Sequence, residues 1–197
     1  MWPESGDLRA EVGELRTAVE RLAVELAEMK AHAAALEALA HEDPLTGVHN
    51  RRGFVRDLTR AIAFGARYGT PAALLLADMD RFKPINDTYG HEVGDRALAH
   101  LAALLRRNVR ASDSIGRLGG DEFALIIWQV DAPIALTKAS ALEAMVAGSP
   151  LPHGDALIPL SISVGCTMLE VRDTPEAALA RADREMYRRK AARHVTR

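Results

Sequence analysis

The chain has 197 residues, 48% of them hydrophobic, a formal net charge of −2 and a single cysteine, Cys166. That length and apolar content suffice for one sizeable core plus an appendage, and the near-neutral charge excludes a global basic field for non-specific nucleic-acid binding. One cysteine excludes an internal disulfide and a multi-cysteine zinc site, which points to a reducing, cytoplasmic setting. The opening "MWPESGDLRAEVGEL" lacks a basic segment followed by an apolar stretch, and nowhere do about 18 apolar residues run together, so neither signal peptide nor membrane span is expected.

Residues 8–40 carry a heptad repeat. Leu8, Leu15, Leu22, Met29 and Leu36 recur every seven residues, and Val12, Val19, Leu26, Ala33 and Ala40 fill the companion seam. Glu11 with Arg16 and Glu25 with Lys30 have the spacing of interhelical charge pairs, so residues 1–41 are expected to form a parallel dimeric coiled coil. The competing expectation is a single amphipathic helix lying on its own domain.

"HEDPLTGVHNRRGF" then breaks the helix at Pro44 and Gly47, and a globular domain of residues 42–197 begins. Asn50 is placed to cap a helix running to about Tyr68, after which "TPAALLLADMD" reads as a buried strand that ends in acid. "RFKPINDTYGHEVGD" is too polar and punctuated for a core element and reads as a loop with one helical turn. A helix from about Glu92 to Val109 follows, with Leu98, Leu101, Leu105 and Val109 on one face. "DSIGRLGGDEFALIIW" reads as a hairpin around the glycine pair. Residues 131–147 return to helical spacing, "ALIPLSISVGCTML" alternates as one strand, and Thr174 with Pro175 opens a last helix.

The chemistry gathers at the strand tips. Asp78 and Asp80 end the first strand, on one face if it stays regular that far, and Asp121 and Glu122 sit at the hairpin turn. Adjacent unneutralised carboxylates repel, and burial adds to the cost unless a cation or donors offset it. If the strand lies beside the hairpin, the carboxylates converge as hard oxygen ligands suited to Mg²⁺ with open positions for phosphates. A calcium loop at "DMDRFKPINDTYGHE" fails, because Phe82 and Pro84 occupy ligand slots. Between the acids, Lys83 offers a point charge for phosphate, and Asn86, His91 and Asp95 offer side chains able to read a base, guanine among them. Helix caps at Asn86 and Asp95 and a surface histidine at His91 are the simpler alternatives.

"DPLTGVHNRR", "DMDRFKPINDTYGHEVGD" and "RLGGDEF", in this order, closely resemble the GGDEF family of diguanylate cyclases, over residues 43 to about 190. The resemblance implies an α/β (α+β) fold, a ferredoxin-like palm domain with a central, mainly antiparallel sheet flanked by helices. It implies condensation of two GTP molecules, one per subunit of a homodimer, into cyclic di-GMP and two pyrophosphates. By the same resemblance, Asp78, the Met79 carbonyl, Asp121 and Glu122 would bind two Mg²⁺ or Mn²⁺ ions. Asp121 would also be the candidate general base, and Lys83 would stabilise charge on the phosphates. Phe82, Asn86, His91 and Asp95 would surround guanine and ribose. Arg110 and Asp113, at the family's spacing from Gly119, would form an inhibitory site for the product. Lys190 matches a phosphate-binding lysine near the end of the domain. Arg193 and His194 depart from the Gly-Arg pair that usually follows, leaving Arg193 as the substitute cation. Other readings are a catalytically silent cyclic di-GMP receptor and a scaffold acting through the coiled coil.

Overall fold

The computed structural model describes the backbone of residues 5–195 and the side chains of residues 12–30 and 40–191. The chain divides into two compact units, Met1–Ala40 and His41–Arg197. The first is built on helix α1 (Ser5–His41). Its described seam residues Val12, Leu15, Val19, Leu22, Leu26 and Met29 are each at least 49% exposed. Leu8, Glu11, Ala33 and Leu36 lie outside the described side chains.

The second unit runs β1 (His49–Asn50), α2 (Arg51–Tyr68), β2 (Ala72–Met79), α3 (Phe82–Tyr89), α4 (His91–Arg107), β3 (Ser114–Gly119), β4 (Glu122–Trp128), α5 (Ala132–Ala147), β5 (Leu151–His153), β6 (Ala156–Ile158), β7 (Ile162–Met168) and α6 (Pro175–Val195). The main sheet has the order β1-β3-β4-β2-β7. Short β1 runs parallel to β3, whereas β2 is antiparallel to both β4 and β7. Strands β2, β3, β4 and β7, with α4 and α5 as crossovers, give the expected ferredoxin-like βαββαβ arrangement with a mainly antiparallel sheet.

Strand alternation sorts the core into two layers. Ala73, Leu75, Ala77 and Met79 of β2 join Phe123, Leu125 and Ile127 of β4 against α4 and α5. Leu74 and Leu76 join Ala124 and Ile126 against α2 and α6. By the same parity Asp78 and Glu122 belong to the α2/α6 face. On β7 that face passes through Gly165, where a Cβ would stand 2.1 Å from the Ala182 carbonyl oxygen and 2.4 Å from the Met186 nitrogen. Glycine therefore lets α6 lie directly on the strand. On the opposite face, the buried Glu143 of α5 accepts a 2.8 Å hydrogen bond from the Val164 N–H. A side chain thus serves backbone of the sheet's edge strand.

Two expectations are corrected. The stretch after β2 is a complete helix, α3, which meets α4 at Gly90; Arg81, with φ 57°, makes the turn that sets its direction. Its buried Ile85 gives it a core anchor that the polar sequence conceals. Residues 156–169 are two strands: β6 pairs with β5 in a separate ribbon, and β7 joins the main sheet. Strand β1 was not anticipated, because two residues carry no periodicity. The caps fared as expected: Asn50 accepts from the Gly53 N–H at 3.0 Å, and Thr174 from the Ala177 N–H at 3.2 Å.

Candidate active site

Sheet register assembles the acidic site. Asp78 is the last pairing position of β2 against β4 and stands directly opposite Glu122, while its other neighbour is Ser163 of β7. Gly119 (φ 152°) and Gly120 (φ 52°) make the turn between β3 and β4, backbone angles that residues with a Cβ rarely adopt. The turn holds Asp121 against the end of β2, where its carbonyl accepts a 3.3 Å bond from the Met79 N–H. Asp80 lies one residue past the end of β2; its N–H donates to the Ser161 carbonyl at 2.9 Å and its carboxylate accepts from the Ser163 hydroxyl at 2.7 Å. Ser163 carries no motif signal, and its role emerges only from β7 lying beside β2.

Helix α6 brings a cation to these acids. The Lys190 ammonium donates to the Asp78 carboxylate in a half-buried ion pair. Burial opposes its charge, but the bond to Asp78 and the fields of Asp78, Asp80 and Asp121 outweigh it and raise its pKa. Burial and then the Asp78 charge hold the Asp121 carboxyl above its ordinary value, despite Lys190 and Arg117. Glu122 is raised in the same way by burial, Asp78, Asp121 and Asp183, with Arg51 pulling in the other direction. Burial and the neighbouring carboxylates thus both work against charge on Asp121 and Glu122.

Among the described residues, no three acidic, histidine or cysteine side chains form a closed metal cage. Asp78, Asp121, Glu122 and the Met79 carbonyl instead offer an open set of oxygen donors. That set fits an ion such as Mg²⁺, which is held by one or two carboxylates and completes its shell with water and substrate phosphates.

A second cluster forms where α3 meets α4. A Cβ on Gly94 would stand 1.9 Å from the Asn86 Oδ1 and 3.4 Å from the Phe82 ring. The bare backbone at position 94 therefore gives Asn86 its place, beside Phe82 and one residue before the exposed Asp95. Asn86 and Phe82 are thus brought together against α4, with Asp95 the next residue along the chain from Gly94, and Gly94, which makes this possible, was not anticipated. Lys83 lies in the first turn of α3 and His91 opens α4, both exposed. The side chain of Arg193 lies outside the described residues.

Asp113 ties down the loop before β3. Its two carboxylate oxygens accept from the Arg110 N–H at 2.9 Å and the Trp128 N–H at 3.1 Å, and the Arg110 side chain is exposed.

This is a palm-like α+β domain, with acids at adjoining strand tips and a lysine set over them. Residues 40–195 match the family described as diguanylate cyclase, GGDEF domain. The chain belongs to the GGDEF diguanylate cyclase family. It is 41% identical to the response regulator PleD of Caulobacter vibrioides over 157 residues, 78% of this chain and 35% of PleD. It is 36% identical to diguanylate cyclase TpbB of Pseudomonas aeruginosa over 196 residues, 94% of this chain and 43% of TpbB. The chain thus spans less than half the length of these relatives. Among solved structures, the coiled coil and GGDEF domain of DgcB from Caulobacter crescentus, in complex with c-di-GMP, superposes with a TM-score of 0.82 at 26% identity. That match covers 90% of this chain and 95% of the DgcB chain.

Proposed function

We propose that the chain condenses two GTP molecules into cyclic di-GMP with release of two pyrophosphates. The observation that carries this is the pairing of Asp78 with Glu122 at the β2–β4 tip, Asp121 at the adjoining turn and Lys190 over Asp78. Asp78, the Met79 carbonyl, Asp121 and Glu122 would hold Mg²⁺ or Mn²⁺, up to two ions. When bound, such ions lower the cost of a ribose alkoxide and of a pyrophosphate leaving group. The chain's own residues do the rest. Phe82 supports the purine ring, and Asn86 and Asp95 hydrogen-bond its polar edge, Asp95 accepting from guanine N–H groups. His91 holds the ribose. Lys83 and Lys190 take the triphosphate charge, and Arg193 is the remaining candidate cation for it. Asp121 accepts the proton from the 3′ hydroxyl as that oxygen attacks the α-phosphate of the other GTP.

Each product needs two such attacks, so two sites must face each other across a homodimer, which the α1 seam would supply. Arg110 and Asp113 form the product-binding inhibitory site in this reading. Asp113 holds the loop and leaves the Arg110 guanidinium exposed for a phosphate or a guanine edge.

The test is chromatography of products from GTP and Mg²⁺, with the purified chain across protein concentrations spanning dimerisation. Cyclic di-GMP that appears and then stalls as it accumulates is expected. Absence of product at every concentration, with cyclic di-GMP still bound, would replace catalysis by a receptor role.

A further inference from the structure

The loop that carries Arg110 has a face the motif does not describe. A cavity of about 370 Å³ opens beside it, walled by Arg60 and Phe64 of α2, Arg110 itself, and Trp128 at the end of β4. Phe64 is 46% exposed although it is a large aromatic on a helix whose other face is buried. Its ring meets Trp128 edge to face, with centroids 5.5 Å apart, and also packs against Tyr68, one helical turn on, with centroids 4.6 Å apart. Trp128 is fixed in turn from two directions. Its backbone N–H donates to Asp113, and the next residue, Gln129, takes a positive φ of 55° while its backbone N–H donates to the Pro71 carbonyl at 2.8 Å.

These features point to one kind of occupant. Two guanidinium groups favour an anion, and a half-exposed aromatic pair between them favours a flat ring system. A purine joined to a phosphodiester carries both, whereas an aliphatic peptide or a lipid tail would offer the guanidinium groups no anion beyond the Asp57 carboxylate that stands 3.9 Å from Arg60. We propose that Phe64 and Trp128 form an aromatic wall against which one guanine of a cyclic guanine dinucleotide stacks. Arg110 and Arg60 hold its phosphates. The proposal rests on the reading of Arg110 and Asp113 as the inhibitory site and adds the aromatic wall to it. Asp113 then acts twice, because through the Trp128 N–H it also couples the position of the Arg110 loop to that of the stacking surface.

The chain has two tryptophans, Trp2 and Trp128, so Trp2→Phe leaves Trp128 as the only indole reporter. In that background cyclic di-GMP is titrated while emission is followed, and calorimetry measures affinity for the same protein and for Phe64→Leu, Arg60→Gln and Arg110→Ala. Circular dichroism checks that each is folded. Phe64→Leu keeps apolar bulk on α2 and removes the π-face, and Arg60→Gln tests the pocket if that change disturbs the helix.

Saturable quenching of Trp128 is expected, with affinity lowered on the order of tenfold in Phe64→Leu, the scale of one lost base–aromatic stack. Binding that is lost in Arg110→Ala, with Trp128 emission unmoved and Phe64→Leu binding as tightly as its parent, would overturn the aromatic wall and leave the inhibitory site standing. No binding to any form would overturn both. Quenching that rises with protein concentration in the absence of nucleotide would assign this face to a second copy of the chain and overturn the proposal.

Discussion

Asp43 and Arg117, 74 positions apart, form an ion pair at 3.2 Å in which each side chain is only 16% exposed. Asp43 also accepts from the Thr46 N–H at 2.9 Å and hydroxyl at 2.6 Å, and Arg117 Nε donates to the Gly120 carbonyl at 2.9 Å. The segment just before β1 is thereby bonded to the glycine turn that presents Asp121. Neither side chain meets substrate in the proposed reaction, so the pair acts by positioning.

Asp43→Asn keeps the shape and removes the charge. Loss of one partner from such a charged hydrogen-bonded set costs about 1–3 kcal/mol. Burial opposes the Asp43 charge, but Thr46 and Arg117 outweigh it and bring the carboxyl below its ordinary value of 3.8. A group whose folded pKa is depressed stabilises the fold above the unfolded value, and the contribution fades as pH falls through the folded one. Wild type should therefore exceed Asp43→Asn in thermal stability at pH 7, with the gap narrowing below pH 4. A gap that stays constant from pH 7 to pH 3 would show that the charge is not what stabilises this corner. Turnover of GTP should fall in Asp43→Asn at temperatures where the protein remains folded.

Gly165 sets the height of α6, and with it Lys190. A Cβ at 2.1 Å from backbone cannot be absorbed by a rotamer change, so Gly165→Ala must move the helix away from β7. Overpacking of this kind costs about 1–3 kcal/mol. Because Lys190 rides on the same helix, the variant should also raise KM for GTP, measured below its melting temperature. Lys190→Ala alone should raise KM with a far smaller loss of stability. If Gly165→Ala lowers Tm but leaves KM untouched, the position of α6 does not govern the lysine.

The strand-tip acids were legible in the sequence because alternation and register are short-range rules. Once "ALLLADM" is a buried strand beside the "GGDEF" hairpin, Asp78 and Glu122 must meet. Asn86 and Asp95 were legible as a polar cluster but not as a place, since the helix that carries Asn86 is only eight residues long, too short to show a helical period, and its core anchor is the single buried Ile85. Contacts spanning many residues left no local trace. Ser163 on Asp80, Glu143 on the Val164 N–H and Arg117 on Asp43 each join elements whose adjacency is fixed by sheet order rather than by pattern. Gly94 and Gly165 sit inside a helix and a strand, where a glycine weakens the local element and gains its meaning from a neighbour's approach.

Gly94→Ala isolates the base cluster. The added methyl would overlap the Asn86 side chain, whose carboxamide must swing out of its present place. Helix α4 gains from the exchange, because alanine is favoured over glycine in a helix interior by about 1 kcal/mol. Stability should therefore change little, while KM for GTP rises roughly fivefold if one hydrogen bond to the base, worth about 1 kcal/mol, is lost. The double variant Gly94→Ala with Asn86→Ala should bind GTP no worse than Asn86→Ala alone. A clear further loss in the double variant would mean that Gly94 acts on the site by a route other than Asn86.

The α1 seam decides whether two sites can meet. Val19 and Leu26 are 64% and 49% exposed, separated by one heptad, and on one stripe with Val12. Joined helices would bury that stripe and raise the effective concentration of one cyclase domain at the other toward the millimolar range. Val19→Lys with Leu26→Lys places like charges across a two-stranded seam in successive heptads. The double variant should sediment as a monomer at concentrations where the parent is a dimer, and it should form cyclic di-GMP far more slowly. GTP binding per chain should be unaffected, since the base and phosphate residues all lie between Asp78 and Arg193. Raising the protein concentration should restore part of the rate, because the domains can still meet by diffusion. Full activity in a demonstrably monomeric variant would remove the coil from the mechanism, and loss of GTP binding together with the dimer would mean that the seam supports the fold of the domain instead of its pairing.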